Sequence, residues 1–537
     1  MNACSYGQNG ISLGRIPSSA AAQKVNMAVT AVENLYVDEL NSNKLAEDAI
    51  IGLLEKLDPH SNYMTPEEVK EMNEPLQGNF DGIGIQFNML TDTLYVVQVI
   101  PGGPSEKVGI LTGDRIIRVN DTLIAGVKMK NTDIMSRLRG PKGTTVNVKV
   151  LRNKDHKLLN FKIIRDKIPI YSLDASYMVD ETTGYIKLNR FSATTHDEFK
   201  TALDKLVQQG MQNLILDLQN NGGGYLGAAI EIANEFLKQG SLIVYTEGAR
   251  QKRENALATN KGAMQNGRLV VLVDESSASA SEIVSGAIQD WDRGVIVGRR
   301  TFGKGLVQRP VPLPDGSMIR LTTARYYTPT GRSIQKPYEN GNQESYNKDL
   351  IDRYNRGEMI SADSIHFPDS LKFSTLVDKR TVYGGGGIMP DYFVPVDTAH
   401  ASVLLRELNS NGITYKYTTQ LIDAKRSAYK KQYPDFEEFN KKFIVTDQMM
   451  NELMDLYKKD TTLNKDDKLP EDDRIAKDLV KSGSIIKTQI KALVARDIFG
   501  ENEYHQVINN VIDAYNRAIE IISDEKIYAK LLSEKNL

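Results

Sequence analysis

Hydrophobic positions change their spacing three times along this chain, and each change marks a new kind of structure. From Lys24 to Val69 they recur every three or four residues, in QKVNMAVTAVENLYV and KLAEDAIIGLLEKL. That is the spacing of one apolar helix face. LDPHSNYMTPEE then breaks the pattern at Pro59. Thr65-Pro66-Glu67-Glu68 opens another helix, with proline at its first position and acids in its first turn. His60 lies in this break, where a capping or turn role outweighs a catalytic one.

From Asn79 to about Arg165 the period drops to two. GIGIQFNML, TLYVVQVI, DRIIRVND and TTVNVKVLR read as short strands, separated by PGGP at 101–104, TGD at 112–114 and GPKG at 140–143. One short helix, about Thr132 to Arg139, precedes the last strand. The pattern predicts a small β-barrel.

From Ile168 to about Val396 apolar strands alternate with amphipathic helices. NLILDL (213–218) and RLVVLVDE (268–275) are largely apolar and read as buried strands. TTHDEFKTALDKLVQQG predicts a helix burying Phe199, Ala202, Leu203, Leu206 and Val207, with a capping box at Thr195 and Glu198 and an end at Gly210. This alternation predicts a layered α/β core. Beyond about Ala399 the chain is charged and helical again, with NKDDKLPEDD (464–473) as a polar linker.

Composition adds few constraints. The 537 residues carry a net charge of -2, so nothing draws the chain generally to nucleic acid or acidic membranes. No apolar run approaches the roughly 18 residues of a membrane span. Cys4 is the single cysteine, which excludes intrachain disulfides. It is also a weak candidate for the lipidated cysteine of a trimmed lipoprotein. The first 23 residues have no apolar h-region, so they do not form a complete secretory signal. The lone cysteine and scattered histidines offer no metal-ligand spacing, and no cofactor is expected.

The chemistry concentrates at two strand-to-helix turns. NNGGG (220–224) can expose backbone N–H groups at a helix start, where they would stabilise an oxyanion. SSASASEIVSG (276–286) places several serines at a similar turn. A serine nucleophile needs a base, and none of the six histidines lies at a strand end. Lys304 in RRTFGKGLVQ is the alternative, because a buried lysine loses its charge more easily.

Two resemblances connect these pieces. GIGIQF and VIPGGPSEKVGILTGDRIIRVNDTLI resemble the carboxylate-binding loop, first strand and middle of a PDZ domain. By that resemblance Gly82, Ile83, Gly84, Ile85 and Phe87 would bind a peptide's C-terminus. In order and spacing, the whole set resembles the C-terminal processing peptidases, or tail-specific proteases, of the S41 serine peptidase family. The likeness runs from LDPHSNYMTPEE to YYTPTGRSIQ and resumes at GGGGIMPDYFVP (384–395). It implies Ser279 as nucleophile, Lys304 as base and Gln308 positioning the lysine amine. It implies an oxyanion hole of the Ala280 N–H and a glycine of NNGGG, Gly223 foremost, with Gly222 and Gly224 close behind. Ser277 and Ser281 remain competing nucleophiles.

The fold class expected is α/β: a crotonase/ClpP-like layered protease core with an inserted β-rich PDZ domain and flanking helical regions. Residues 1–22 would be a leader remnant or disordered tail, 23–77 a helical region and 78–166 the PDZ domain. Residues 167–398 would be the core, with a polar insertion at 336–383, and 399–537 a second helical region serving as scaffold or homo-oligomer contact. The partners implied by the resemblance are polypeptides with apolar C-terminal tails, in a bacterial cell-envelope, periplasmic setting. Two rivals stand beside this reading: a catalytically silent PDZ scaffold, and another Ser-Lys amide hydrolase.

Overall fold

A computed structural model describes residues 19–89, 92–152, 157–459 and 472–533. Cys4, His156 and most of the 464–473 linker lie outside the described residues. The chain forms two compact units, one of residues 1–77, 176–396 and 517–537, the other of 78–175 and 397–516.

The first unit contains a parallel sheet in which Thr183–Leu188, Asn213–Asp217, Leu269–Val273, Val295–Gly298 and Tyr392–Phe393 lie side by side in that order. Every residue of Asn213–Asp217 and Leu269–Val273 is buried, which explains the apolar runs at 214–216 and 269–273. The helices Thr195–Gln208, Leu226–Asn234 and Ala280–Asp290 lie between successive strands in the chain. The first buries Phe199, Ala202, Leu203 and Leu206 as expected, but Val207 is 47% exposed. Its cap also differs from the predicted one. Thr194 is the N-cap residue and its hydroxyl bonds Glu198, while the Thr195 hydroxyl accepts from the Ser192 N–H.

A second sheet, in the order Asn62–Met64, Met318–Tyr327, Leu242–Gly248, Gln251–Leu257, with Leu306–Pro312 also on Met318–Tyr327, completes the layered core. The 336–383 segment is more deeply integrated than a surface insertion. Its helix Gln343–Asn355 carries Arg353, 1% exposed, which donates to the carbonyls of Thr301 at 3.0 Å and Arg300 at 2.7 Å. Arg380 is fully buried between Asp292 at 2.8 Å and Asp391 at 2.6 Å. Polar composition suggested an insertion; Arg353 and Arg380 are nevertheless buried and hydrogen-bonded to residues of the core.

The C-terminal region also divides differently from expectation. Residues 517–537 belong with the protease core, where Tyr528 Oη lies 3.0 Å from the Leu269 N–H. In the second unit, the PDZ sheet runs Ile85–Met89, Leu94–Val99, Arg115–Val119, Thr145–Leu151, Leu159–Ile164. The helix Asn131–Leu138 packs Ile134 and Leu138 against it. The helices from Val403 to Ile508 form a separate apolar cluster around residues such as Leu408, Phe439, Tyr457 and Ile486. Among the described residues no helix is long and apolar enough to cross a membrane.

Replacing Arg380 with Met should leave Asp292 and Asp391 buried without their cation. The expected loss is about 3–5 kcal/mol in urea unfolding. A change under 1 kcal/mol would mean that the cluster contributes little to the fold.

Candidate active site

Two adjacent strands of the parallel sheet end in the two suspected turns, and one acid joins them. Asp274, at the end of Leu269–Val273, accepts from the Asn220 N–H at 3.0 Å and from the Ser276 and Ser277 N–H groups at 3.0 Å. The Ala278 N–H returns to the Asn221 carbonyl at 3.0 Å. Gly223 closes the contact. A Cβ there would lie 2.6 Å from Ala278 O and 2.8 Å from Ser279 Cβ, so only glycine allows the turns to touch.

The three candidate serines have different surroundings. Ser277 is fully buried and its hydroxyl bonds the Leu218 carbonyl at 2.8 Å. Ser281 is fully buried and its hydroxyl bonds the Asn221 carbonyl at 2.8 Å. Ser279 alone of the three is partly exposed. It caps the helix Ala280–Asp290 with φ 56° and ψ -109°, a conformation costly to any residue with a Cβ. The Ala280 N–H lies in the first turn, where helices leave donors without intrahelical acceptors.

Glu282 ties this turn to the lysine loop. It is fully buried, and one carboxylate oxygen accepts from the Ser279 N–H at 2.8 Å and the Lys304 N–H at 2.9 Å. The other accepts from the Gly303 N–H at 2.7 Å and the Thr301 hydroxyl at 2.5 Å. Burial pushes this carboxyl up to about 7, and the four donors limit the rise. Tyr326, 2% exposed, adds a second tie by donating to the carbonyls of Ser279 and Lys304.

Burial, and then the Arg320 cation, lower the Lys304 amine to about 8. Gly305 lets the loop pass closely beneath Gln335, since a Cβ there would meet Gln335 N at 2.9 Å. Gln308 stands at a bulge in Leu306–Pro312. Its amide donates to the Leu306 carbonyl at 3.0 Å and the Thr322 hydroxyl at 3.3 Å, and accepts from Arg320 at 3.5 Å. These partners differ from the expected lysine amine. Gly223 also departs from expectation. Its N–H is donated to Asn221 Oδ1 at 2.9 Å, which leaves Gly222 and Gly224 as the free N–H groups of that turn.

Several residues here were not singled out from the sequence. Glu282 stands three positions after Ser279, the spacing of a capping box, so its role was legible in SASASE. Asp58 had no such signal, and His60 was read as a capping or turn residue. Asp58 accepts from the Thr322 hydroxyl at 2.8 Å, and His60 Nε2 lies 3.0 Å from the Tyr346 hydroxyl. Burial, and then the Lys304 charge, depress the His60 imidazole to about 3, so it stays neutral beside the lysine.

The PDZ loop is formed as expected, with one refinement. Gly84 has φ 77°, and Ile85 and Phe87 lie on a strand that is terminal in its sheet. Ile83, however, is 3% exposed and packs into the domain core, so it shapes the loop from beneath.

Comparison with known proteins agrees with this architecture. Residues 182–341 match peptidase family S41, 82–163 the PDZ domain, 9–68 the activating protease CtpB N-terminal domain and 404–500 a family of unknown function. The fold is that of a PDZ-containing serine peptidase. The chain is 38% identical over 309 residues to a carboxy-terminal-processing protease of Bartonella bacilliformis, covering 57% of this chain and 70% of that protein. It is 35% identical over 319 residues to a probable CtpA-like serine protease of Staphylococcus epidermidis, covering 59% of this chain and 63% of the relative. Among solved structures, the photosystem II D1 C-terminal processing protease is 29% identical, with 59% of this chain and 91% of that one covered and a TM-score of 0.35. The chain belongs to the carboxy-terminal-processing proteases of peptidase family S41.

Two predictions follow from the Glu282 tie and the Ser279 conformation. Glu282→Gln turns an amide N–H toward donors, so kcat should fall about 10- to 100-fold with the fold retained. Unchanged kcat would remove Glu282 from the site's positioning. Ser279→Gly should melt at a higher temperature than Ser279→Ala, because only glycine adopts φ 56° without Cβ strain. Equal melting temperatures would mean that the turn stores no strain.

Proposed function

We propose that the protein is an endopeptidase that cleaves polypeptides through an acyl-enzyme on Ser279, with Lys304 as base. One observation carries the reading: a strained serine and a lysine, both partly buried, share the same carboxylate oxygen through their backbone N–H groups. In the proposed reaction the Lys304 amine takes the hydroxyl proton as Ser279 Oγ attacks the scissile carbonyl carbon. The oxyanion is held by the Ala280 N–H and an N–H of Gly222 or Gly224. The ammonium then protonates the leaving amine as the C–N bond breaks. Water, deprotonated by the same amine, attacks the ester and frees the acid and Ser279. Gln308 acts through Arg320 and Thr322, with which it shares hydrogen bonds, rather than by direct contact with the amine.

We further propose that the PDZ domain captures substrate C-termini. The free carboxylate would meet the Gly82–Ile85 loop, and the tail would pair with the open edge of Ile85–Met89, with an apolar side chain beside Ile85 and Phe87. We propose an envelope location from the family resemblance, for which cell fractionation is the test.

Ser279→Ala and Lys304→Ala should each abolish casein cleavage in folded protein, and Lys304→Arg should not restore it. Normal cleavage by Ser279→Ala would remove the nucleophile assignment. Because the neutral amine is the active form, kcat/KM should rise with pH through about 8 and level off above it. Arg320→Met removes a cation that lowers the lysine, so its profile should shift to higher pH. Asp58→Asn removes an anion that raises it and should shift the profile the other way. A flat profile from pH 6 to 9 would reject lysine as the base. Amidating a substrate's C-terminus should slow cleavage below KM without moving the scissile bond. Equal rates for free and amidated tails would remove tail reading from the proposal.

A further inference from the structure

The C-terminal helices carry a feature that proteolysis does not use. Helices Val403–Ser410, Ile413–Gln432, Asp472–Ile498 and Glu501–Ile508 contribute to a cavity of about 470 Å³. This lies within the range of about 300–1,000 Å³ common for small-molecule sites. Its walls are largely aliphatic, with Leu405, Leu408, Ile485, Leu493, Ile508 and Ile512 facing it. The region coincides with the stretch matching a family of unknown function.

Two independent polar features meet in this cavity. The first is the N-terminus of the 20-residue helix Ile413–Gln432. Its N-cap is Gly412, which has no side chain to accept from the first-turn N–H groups, and Gly412 lines the cavity. Such a helix start favours an anion. The second is Thr414, 4% exposed, which lines the same cavity with its Oγ1 buried and without a hydrogen-bond partner. Gln489 Oε1, also in the lining, is likewise buried and unpartnered, and its amide can present Nε2 as a donor by rotation. Buried polar groups rarely stay unpaired, so these atoms call for a ligand or ordered water.

The remaining charges at the cavity are already engaged. Asp397 accepts from the His400 N–H at 3.0 Å, and its other oxygen lies 2.8 Å from His400 Nδ1. His400 and Asn409 are exposed and mark the opening to solvent. The aliphatic walls offer no partners for successive peptide amides, which disfavours a peptide tail as occupant. A single anionic head on an apolar chain matches both features.

We propose that this cavity binds a long-chain monocarboxylate, a fatty acid. Its carboxylate sits at the start of Ile413–Gln432 and accepts from the Thr414 hydroxyl, while its chain lies along the aliphatic walls. The site is independent of the peptidase reading.

The test is calorimetric titration of the delipidated full-length protein with dodecanoate below its micellar concentration. Saturable binding of one molecule per chain is expected. Methyl dodecanoate and dodecanol should bind at least ~10-fold more weakly, because neither presents an anion to the helix start. Thr414→Val keeps the side-chain shape and removes the donor, so it should weaken binding about 10-fold. Ile485→Trp fills the cavity and should abolish binding. A photoreactive dodecanoate should crosslink within 405–415 or 485–493, which locates the site even if a variant fails to fold. Absence of saturable binding, equal affinity for the methyl ester, or crosslinks confined to the PDZ loop would each overturn the proposal. So would displacement of dodecanoate by a peptide with an apolar C-terminus but not by other fatty acids.

Discussion

Four hydrogen-bond donors from two distant stretches of chain converge on one buried carboxylate, that of Glu282. Removing a carboxylate from water is costly unless its oxygens are satisfied, and here both oxygens are filled by backbone and hydroxyl donors. The carboxylate therefore holds the Ser279 turn and the Lys304 loop in a single geometry. Tyr326 repeats the link from the carbonyl side, donating to both residues. Ser279 and Lys304 are thus tied to one another through their main-chain groups.

The same device recurs around the site. Asp274 gathers the two turns at the strand ends, and Asp58 fixes Thr322 beneath the lysine loop. Arg353 braces the carbonyls of Arg300 and Thr301 from the helix Gln343–Asn355. A loop rich in glycine has high conformational entropy when free, so a rigid site requires such external ties. Gly223 and Gly305 are needed because other backbone approaches within the radius of a Cβ, while buried polar side chains supply the rigidity that glycine lacks.

Much of this architecture was readable in one dimension. The largely apolar runs at 213–218 and 268–275 announced buried strands, and the period-two segment announced the β-barrel. Where local pattern was ambiguous the reading erred in definite ways. Val207 fits the helical stripe but points outward, because the stripe is wider than the surface it covers. T-x-x-E at 195–198 and S-x-x-E at 279–282 look alike, yet Ser279 is the residue that caps its helix, whereas Thr194, one position before Thr195, caps the other. The 336–383 segment is polar enough to read as an insertion, yet Arg380 is buried because its ion partners, Asp292 and Asp391, come from elsewhere in the chain.

The sequence by itself determined the order of domains, the two glycine- and serine-rich turns and the residue types available for catalysis, because these depend on local periodicity and turn chemistry. It also carried the Ser279–Glu282 spacing that fits one helical turn. Only tertiary structure decided which serine is partly exposed, why the lysine is depressed and where the Gln308 and Gly223 hydrogen bonds go. Each of those depends on burial and on partners far away in the chain: Thr322 and Arg320 for Gln308, Arg320 and Asp58 for Lys304, Leu218 and Asn221 for the competing serines. Desolvation is a property of enclosure, and no linear spacing records which segments will do the enclosing.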